Sequence, residues 1–218
     1  THEKTLVGNV YKGVVRNVLP AIQAAFVDIG LDRNGFLHAS DIASEAAACR
    51  EISGEDVDEP EDGRPDSKRQ PIDKMIAKGQ EVLVQIIKEP IGTKGVRLST
   101  NISIAGRYLV MMPGAQQIGI SRRITDFAER RRLRHILREI RVPAGVGFIV
   151  RTVGQGASRE DFEKDVLYLS DLWQGIQRQA PQAPCPSLIH EDLNLVLRVL
   201  RDALTEDVSR IVVDSREE

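Results

Sequence analysis

Residues 7–38 read VGNVYKGVVRNVLPAIQAAFVDIGLDRNGFLH, and this stretch decides the fold. Its first twelve residues are rich in β-branched side chains and run out just before Pro20, which has no N–H to give to a ladder. QAAFVDI at 23–29 ends at Gly30, and GFLH at 35–38 follows a polar turn. Working outward, EVLVQIIK at 81–88 alternates Val82, Val84 and Ile86 against Leu83, Gln85 and Ile87. GVRLS at 95–99 follows the turn Gly92-Thr93-Lys94. Short strands at this spacing, separated by turn residues, predict a small closed five-stranded β-barrel of the OB type. Gly13 sits where the first strand must kink for such a barrel to curl. Residues 41–79 read as an insertion, part Ala-rich helix at 42–49 and part acidic loop.

Beyond residue 100 the pattern becomes mixed α/β. YLVMM at 108–112 is a strand stopped by Pro113-Gly114, and GFIVRTV at 147–153 is another that ends at Gly154. Leu133, Ile136, Leu137 and Ile140 form one stripe of a helix over 126–140. Ser158-Arg-Glu-Asp161 resembles a capping box, and the helix it opens carries Phe162, Val166, Leu169, Trp173 and Ile176 on one face. QAPQAPCP at 179–186 predicts a stiff connector. A last helix carries Leu193, Val196, Leu197, Leu200 and Leu204, and a strand is expected over 210–214. The whole reads as an α+β multidomain chain, with the barrel placed before the α/β region.

Composition excludes several classes. A charged share of 28% beside 41% hydrophobic residues is that of a folded chain rather than a disordered one. No run approaches the roughly 18 apolar residues of a membrane-spanning helix. Residue 1 is Thr and no basic-then-apolar leader follows, so the expectation is a portion of a longer cytoplasmic protein. Cys49 and Cys185 stand far apart without a CxxC, which predicts neither a disulfide framework nor structural zinc. The formal charge of −2 hides an asymmetry: residues 51–66 hold eight acids against Arg64, whereas 107–151 hold ten arginines against Asp126, Glu129 and Glu139. A near-neutral average therefore leaves room for a polyanionic partner, because steering depends on the local field. Arg130, Arg131, Arg132 and Arg134 suit either that partner or a solvated helix face.

Two constellations can carry chemistry. Phe26 and Phe36 flank a turn, and Lys94 lies in a later barrel loop. Aromatics on neighbouring strands can stack bases while Lys meets phosphate, but both rings could equally be core, and the flanking charges leave that open. Arg151-Thr152 lies where an apolar strand runs into Val153-Gly-Gln-Gly156. Glycines after a strand leave backbone N–H groups free, and a guanidinium fork matches phosphate oxygens; an ordinary surface turn reads equally well. Ser121-Arg122-Arg123 suits RNA backbone or a solvated turn. No Ser/His/Asp or Cys/His set is legible, and Asp214 is the one carboxylate placed like a metal ligand, without a partner. Phosphodiester hydrolysis generally needs a metal held by at least two carboxylates.

The wording of GNVYKGVVRNVLPAIQAAFVDIGLDRNGFLHASDI (8–42), GQEVLVQIIKEPIGTKGVRLST (79–100), AGRYLVMMPGAQQIGISRRI (105–124) and GFIVRTVGQGA (147–157) closely resembles the bacterial ribonuclease E/G family, nearer its G branch. The resemblance implies an S1-type RNA-binding barrel over 1–100, a 5′-sensor region over 101–196, and the start of a ribonuclease-H-like part over 197–218. It implies RNA contacts from Phe26, Phe36, Lys94, Val110 and Arg122, and a 5′-monophosphate held by Arg151 and Thr152. It also implies a single-strand-specific endoribonuclease of RNA processing and decay, homo-oligomeric when whole. That enzyme would use Mg²⁺ through ligands outside this chain, leaving these residues without catalytic groups or a metal of their own. The alternatives are a non-enzymatic S1-type regulator, or a protein-interaction scaffold with both phenylalanines buried.

Overall fold

The computed structural model describes residues 5–42, 70–90, 92, 94–115, 118–204 and 208–212. Five strands close on themselves: β1 (Val10–Leu19), β2 (Ala24–Asp28), β3 (Gly35–His38), β4 (Glu81–Lys88) and β5 (Arg97–Ser99). Their order is β1-β2-β3-β5-β4, and β4 returns to pair with β1. Closure depends on β1 serving two neighbours: Val10 to Val14 pair with β4, and Val14 to Leu19 with β2. Gly13 lies where the ladders hand over. A Cβ there would stand 2.7 Å from Val27 Cγ1 and 2.8 Å from the Asp28 carbonyl oxygen, so only glycine admits the approach of β2. Strand alternation buries Val15, Ala25, Val27, Leu37, Val84, Ile86 and Leu98 inside the barrel. Each buried Val, Leu or Ile among them contributes about 1.5–3 kcal/mol. A short helix, α1 (Ile72–Met75), closes one end with Ile72, whose N–H donates to Gln23 Oε1 at 3.1 Å. The expected helix at 42–49 and acidic loop at 51–66 lie outside the described residues, apart from Ile42.

The second half builds one sheet and three helices. The elements are β6 (Ile104–Ala105), β7 (Leu109–Pro113), β8 (Ile118–Ile120), α2 (Phe127–Glu139), β9 (Val146–Val150), α3 (Arg159–Gln182), β10 (Ser187–His190) and α4 (Leu195–Ala203). The sheet order is β6-β7-β9-β8, with β8 parallel to β9. Leu109, Met111, Phe148 and Val150 of the sheet pack with Leu133 and Leu137 of α2 and with Phe162 and Leu169 of α3. The expected capping box is present: the Asp161 N–H donates to Ser158 Oγ, and the Ser158 N–H donates to Asp161 Oδ2. Val10 of β1 and Ile189 of β10 belong to this second core, which joins the barrel to the sheet.

Two sequence expectations are corrected. The stretch 179–186 is not a connector throughout: α3 continues through Pro181 to Gln182, and residues 187–190 pair with β1. Pro181 lies in the last helical turn, where its missing N–H removes one bond near an end that frays anyway. Lys12 then fastens the exit of α3, donating to the Ala183 carbonyl at 3.1 Å. The strand expected at 210–214 is absent over 210–212, which carry no regular structure, and its remainder lies outside the described residues.

Candidate nucleic-acid interface

Phe26 and Phe36 stand directly opposite each other on β2 and β3. Alternation sends Ala25, Val27 and Leu37 inward, so both rings lie on the outer face, half-buried rather than core. Their centroids are 6.0 Å apart in edge-to-face geometry, and His38 lies nearly parallel to Phe36 at 6.4 Å. Continuing across the sheet, Phe36 pairs with Arg97 of β5, and Arg97 with Lys88 of β4. Arg97 is aimed by Asp41, whose Oδ2 accepts from Nε at 2.9 Å. Lys94 is exposed just before β5. The outer wall is thus an aromatic pair flanked by cations, a surface suited to unpaired bases and phosphates. His38, Lys88 and Arg97 were missed by the sequence reading. Parity signals His38, which alternates with Leu37, and Arg97, which alternates with Leu98. Lys88, by contrast, shares parity with the inward Ile86 and comes opposite Arg97 only through the register shift between Ile86 and Lys88.

At the end of β9, Arg151 and Thr152 point to separate partners. The Arg151 N–H donates to the Tyr108 carbonyl at 2.8 Å, continuing the ladder. Both terminal nitrogens of its guanidinium are engaged. Nη1 donates to the carbonyls of Gly106 (2.7 Å) and Arg107 (2.9 Å) and to Asp202 Oδ1 (2.6 Å), while Nη2 donates to Asp202 Oδ2 (2.7 Å). Arg151's hydrogen bonds, against the opposing effect of burial and with help from Arg201, hold the Asp202 carboxyl well below the usual range. The carbonyls that receive Arg151 belong to a turn organised from beneath. Asp165 of α3 is buried and accepts the N–H groups of Arg107 (3.0 Å), Tyr108 (2.8 Å) and Leu109 (2.8 Å). Gly106 permits this, since a Cβ there would stand 2.5 Å from Asp165 Oδ1.

Thr152 is exposed and opens a 3₁₀ turn, Thr152–Gly154; its hydroxyl lies 3.3 Å from that of Ser121 at the end of β8. That contact brings the exposed Arg122 and Arg123 beside Thr152, whereas among the described residues no hydrogen-bond partner is common to the Arg151 and Thr152 side chains. Val110 is half-exposed on β7, opposite Ile149 of β9. The N–H groups expected to be free after the strand are largely used. Gly154 donates to the Arg151 carbonyl, Gln155 to that of Thr152, and Gly156 to Glu129 Oε1 at 2.9 Å. The loop packs back on α2 instead of standing open. Among the described residues, no group of three or more His, Cys, Asp or Glu side chains is placed to hold a metal ion, and Asp214 lies outside them.

A closed S1-like barrel bearing an aromatic and basic wall, followed by a mixed α/β unit, defines an RNA-binding class of protein. The S1 RNA binding domain profile matches residues 4–101, and that of the ribonuclease E/G family matches residues 103–218. The chain belongs to the ribonuclease E/G family. It is 41% identical over 211 residues to ribonuclease G of Salmonella typhimurium (strain SL1344), a match covering 97% of this chain and 41% of that protein. It is also 42% identical over 215 residues to ribonuclease E of Nostoc sp. (strain PCC 7120 / SAG 25.82 / UTEX 2576), covering 96% of this chain and 28% of the relative. A third relative, ribonuclease E of Haemophilus influenzae (strain ATCC 51907 / DSM 11121 / KW20 / Rd), is 41% identical over 212 residues. The chain thus spans about two-fifths of the length of the curated ribonuclease G relatives.

Proposed function

We propose that this chain is the RNA-binding and 5′-monophosphate-sensing portion of a single-strand-specific endoribonuclease acting in RNA processing and decay. Residues 1–100 hold the strand through Phe26, Phe36 and Lys94. Residues 101–196 read its end through Arg151, Thr152, Val110 and Arg122, and 197–218 begin a ribonuclease-H-like part. The whole enzyme would be a cytoplasmic homo-oligomer that cleaves phosphodiesters with Mg²⁺. The described residues offer no fit for that ion, so no hydrolytic step is assigned to them.

The observation that carries the 5′-end reading is the two-pronged grip of Arg151 on a carboxylate. A guanidinium that meets two oxygens at 2.6 and 2.7 Å, backed by two fixed carbonyls, is already oriented for the oxygens of a terminal phosphate. Asp202 occupies the fork as an internal rival, so a phosphate must displace it. A 5′-monophosphate, carrying nearly one more charge than an internal diester, is the RNA group best able to do so. The test is to titrate one oligonucleotide bearing a 5′-monophosphate or a 5′-hydroxyl end at fixed salt. A charge-assisted hydrogen bond contributes roughly 1.5–3 kcal/mol, so the phosphorylated end should bind about ten- to a hundredfold tighter. Arg151→Ala should abolish the preference, Arg151→Lys should recover little of it, and Asp202→Asn should raise it. Equal affinities for both ends would reject the assignment. A preference that survives Arg151→Ala would move it to Arg122 and Arg123.

A further inference from the structure

We propose that the outer face of α2 is a second RNA-binding track, separate from the barrel wall and from the Arg151 site. Helix α2 buries Leu133, Leu137 and, just past its end, Ile140. On the far side, Phe127, Arg131, Arg134 and Arg138 recur at spacings of four, three and four, which aligns them along one stripe. All four are exposed, and Phe127 is 85% exposed although it begins a helix with a sound apolar face. The stripe is about 17 Å long at 1.5 Å per residue.

The arginines of this helix divide cleanly by use. Arg130 donates through Nη1 to the carbonyls of Ser121 (2.9 Å) and Ile124 (3.0 Å). Arg132 grips Glu129 with two bonds of 2.7 Å and donates to the Ala157 carbonyl at 2.9 Å. These two hold the helix in place. Arg131, Arg134 and Arg138, by contrast, have no carboxylate or carbonyl partner among the described residues. The helix's own acids are diverted elsewhere: Glu129 to Arg132, and Glu139 to His135 and Arg159. Arg131, Arg134 and Arg138 share this open face of the helix with Ala128, Arg132 and His135. Three unneutralised guanidiniums in a row repel one another, so the face fits a polyanion better than water alone. The exposed ring at one end of the row favours a polyanion that carries bases, because it can stack on an unpaired one. The occupant is therefore the backbone of single-stranded RNA. Arg130 ties the start of the stripe to the segment carrying Arg122 and Arg123, so the track begins beside Thr152 and leads away from it. The proposal rests on RNA binding by this family and is independent of the 5′-end reading.

The test uses the chain with Arg131→Gln, Arg134→Gln and Arg138→Gln combined, titrated with a 5′-hydroxyl single-stranded oligonucleotide so that the Arg151 site is not read. Loss of three phosphate contacts at about 0.7 each should lower the slope of log affinity against log salt by about two. Affinity near 0.1 M salt should fall at least about tenfold. Phe127→Ala should weaken binding without changing the slope. The ratio between 5′-monophosphate and 5′-hydroxyl affinities, whatever its value in the parent, should be unchanged. A folded triple variant with unchanged affinity and slope would overturn the proposal. So would an equal loss on neutralising the exposed Lys74, Lys78 and Lys164, or a changed oligomeric state with unchanged RNA affinity, which would assign the face to protein contact.

Discussion

Phe26 and Phe36 show what a single residue position can decide. Their rings lie outside the barrel, where an aromatic side chain earns no core packing and must find another use. Replacing either by Ala should weaken single-stranded RNA binding by about 1–3 kcal/mol, the contribution of one stacked base. The rings touch each other edge-to-face, so the two losses should not add: about 0.5–1.5 kcal/mol of coupling is expected in a double-mutant cycle. Filter binding and thermal melting on the same samples check both points. If either variant loses the 3–5 kcal/mol of stability typical of a core Phe→Ala, that ring is structural and its stacking role fails. The sequence left this choice open because aromatic content alone does not set strand phase. The phase was nevertheless present: Phe26 shares parity with Asp28, and Phe36 with His38, whereas Val27 and Leu37 take the inward positions. By contrast, the Asp202 carboxylate on Arg151 and the Asp165 carboxylate beneath the 106–109 turn were not legible. Those contacts join residues 51 and 56–58 positions apart, and no local pattern announces them.

At the scale of elements, legibility followed length and punctuation. The five barrel strands, α2 and α3 carry turn residues, stripes or a capping box, and all were readable. β6 and β8 have two and three residues, too few for a period to show, and β10 follows a proline-rich run that reads as irregular. How α2 is held gives a pH prediction. Glu129 accepts two bonds from Arg132 and one from the Gly156 N–H; chiefly the Arg132 bonds bring its pKa down from 4.5 to about 2. A carboxyl whose folded pKa is depressed stabilises the fold above its unfolded value and loses that contribution as pH falls toward the folded one. The window is therefore from about pH 5 down to pH 2, and the full contribution is at most about 3 kcal/mol. Glu129→Gln should lower stability at pH 7 by about 1–3 kcal/mol, and the gap from the parent should close by pH 2–3. Denaturant midpoints of the pair at pH 7, 5 and 3 check this, and other carboxyls cancel in the difference. A gap as wide at pH 3 as at pH 7 would mean that the charge on Glu129 does not matter.

Taken whole, the molecule joins the barrel and the second sheet through one shared core. Val10 of the barrel and Ile189 of β10 pack with Phe148 and Phe162, and Lys12 holds the exit of α3, so the aromatic wall and the Arg151 site are carried by mutually packed parts. The S1 RNA binding domain match makes RNA the expected occupant of this arrangement, and no hydrolytic step is assigned to the described residues. Expelling an alkoxide from a phosphodiester needs an activated water and a counter-charge for the leaving oxygen, normally from a metal on at least two carboxylates. Among the described residues, Asp165 is spent on three backbone N–H groups, Asp202 on Arg151 and Arg201, and Asp161 on the cap of α3. None is left paired with another carboxylate toward a metal. The curated ribonuclease G relatives are more than twice as long, with room for such a site elsewhere. The expected outcome is that this chain binds a single-stranded A/U-rich RNA and leaves it intact in Mg²⁺. Its melting temperature should also not move when Mg²⁺ is raised at constant ionic strength, since a specifically bound ion would stabilise the folded state by mass action. Cleavage abolished by EDTA, and restored by Mg²⁺ in a preparation free of other nucleases, would overturn this. It would require a carboxylate pair among the residues not described, with Asp214 the first to change to Asn.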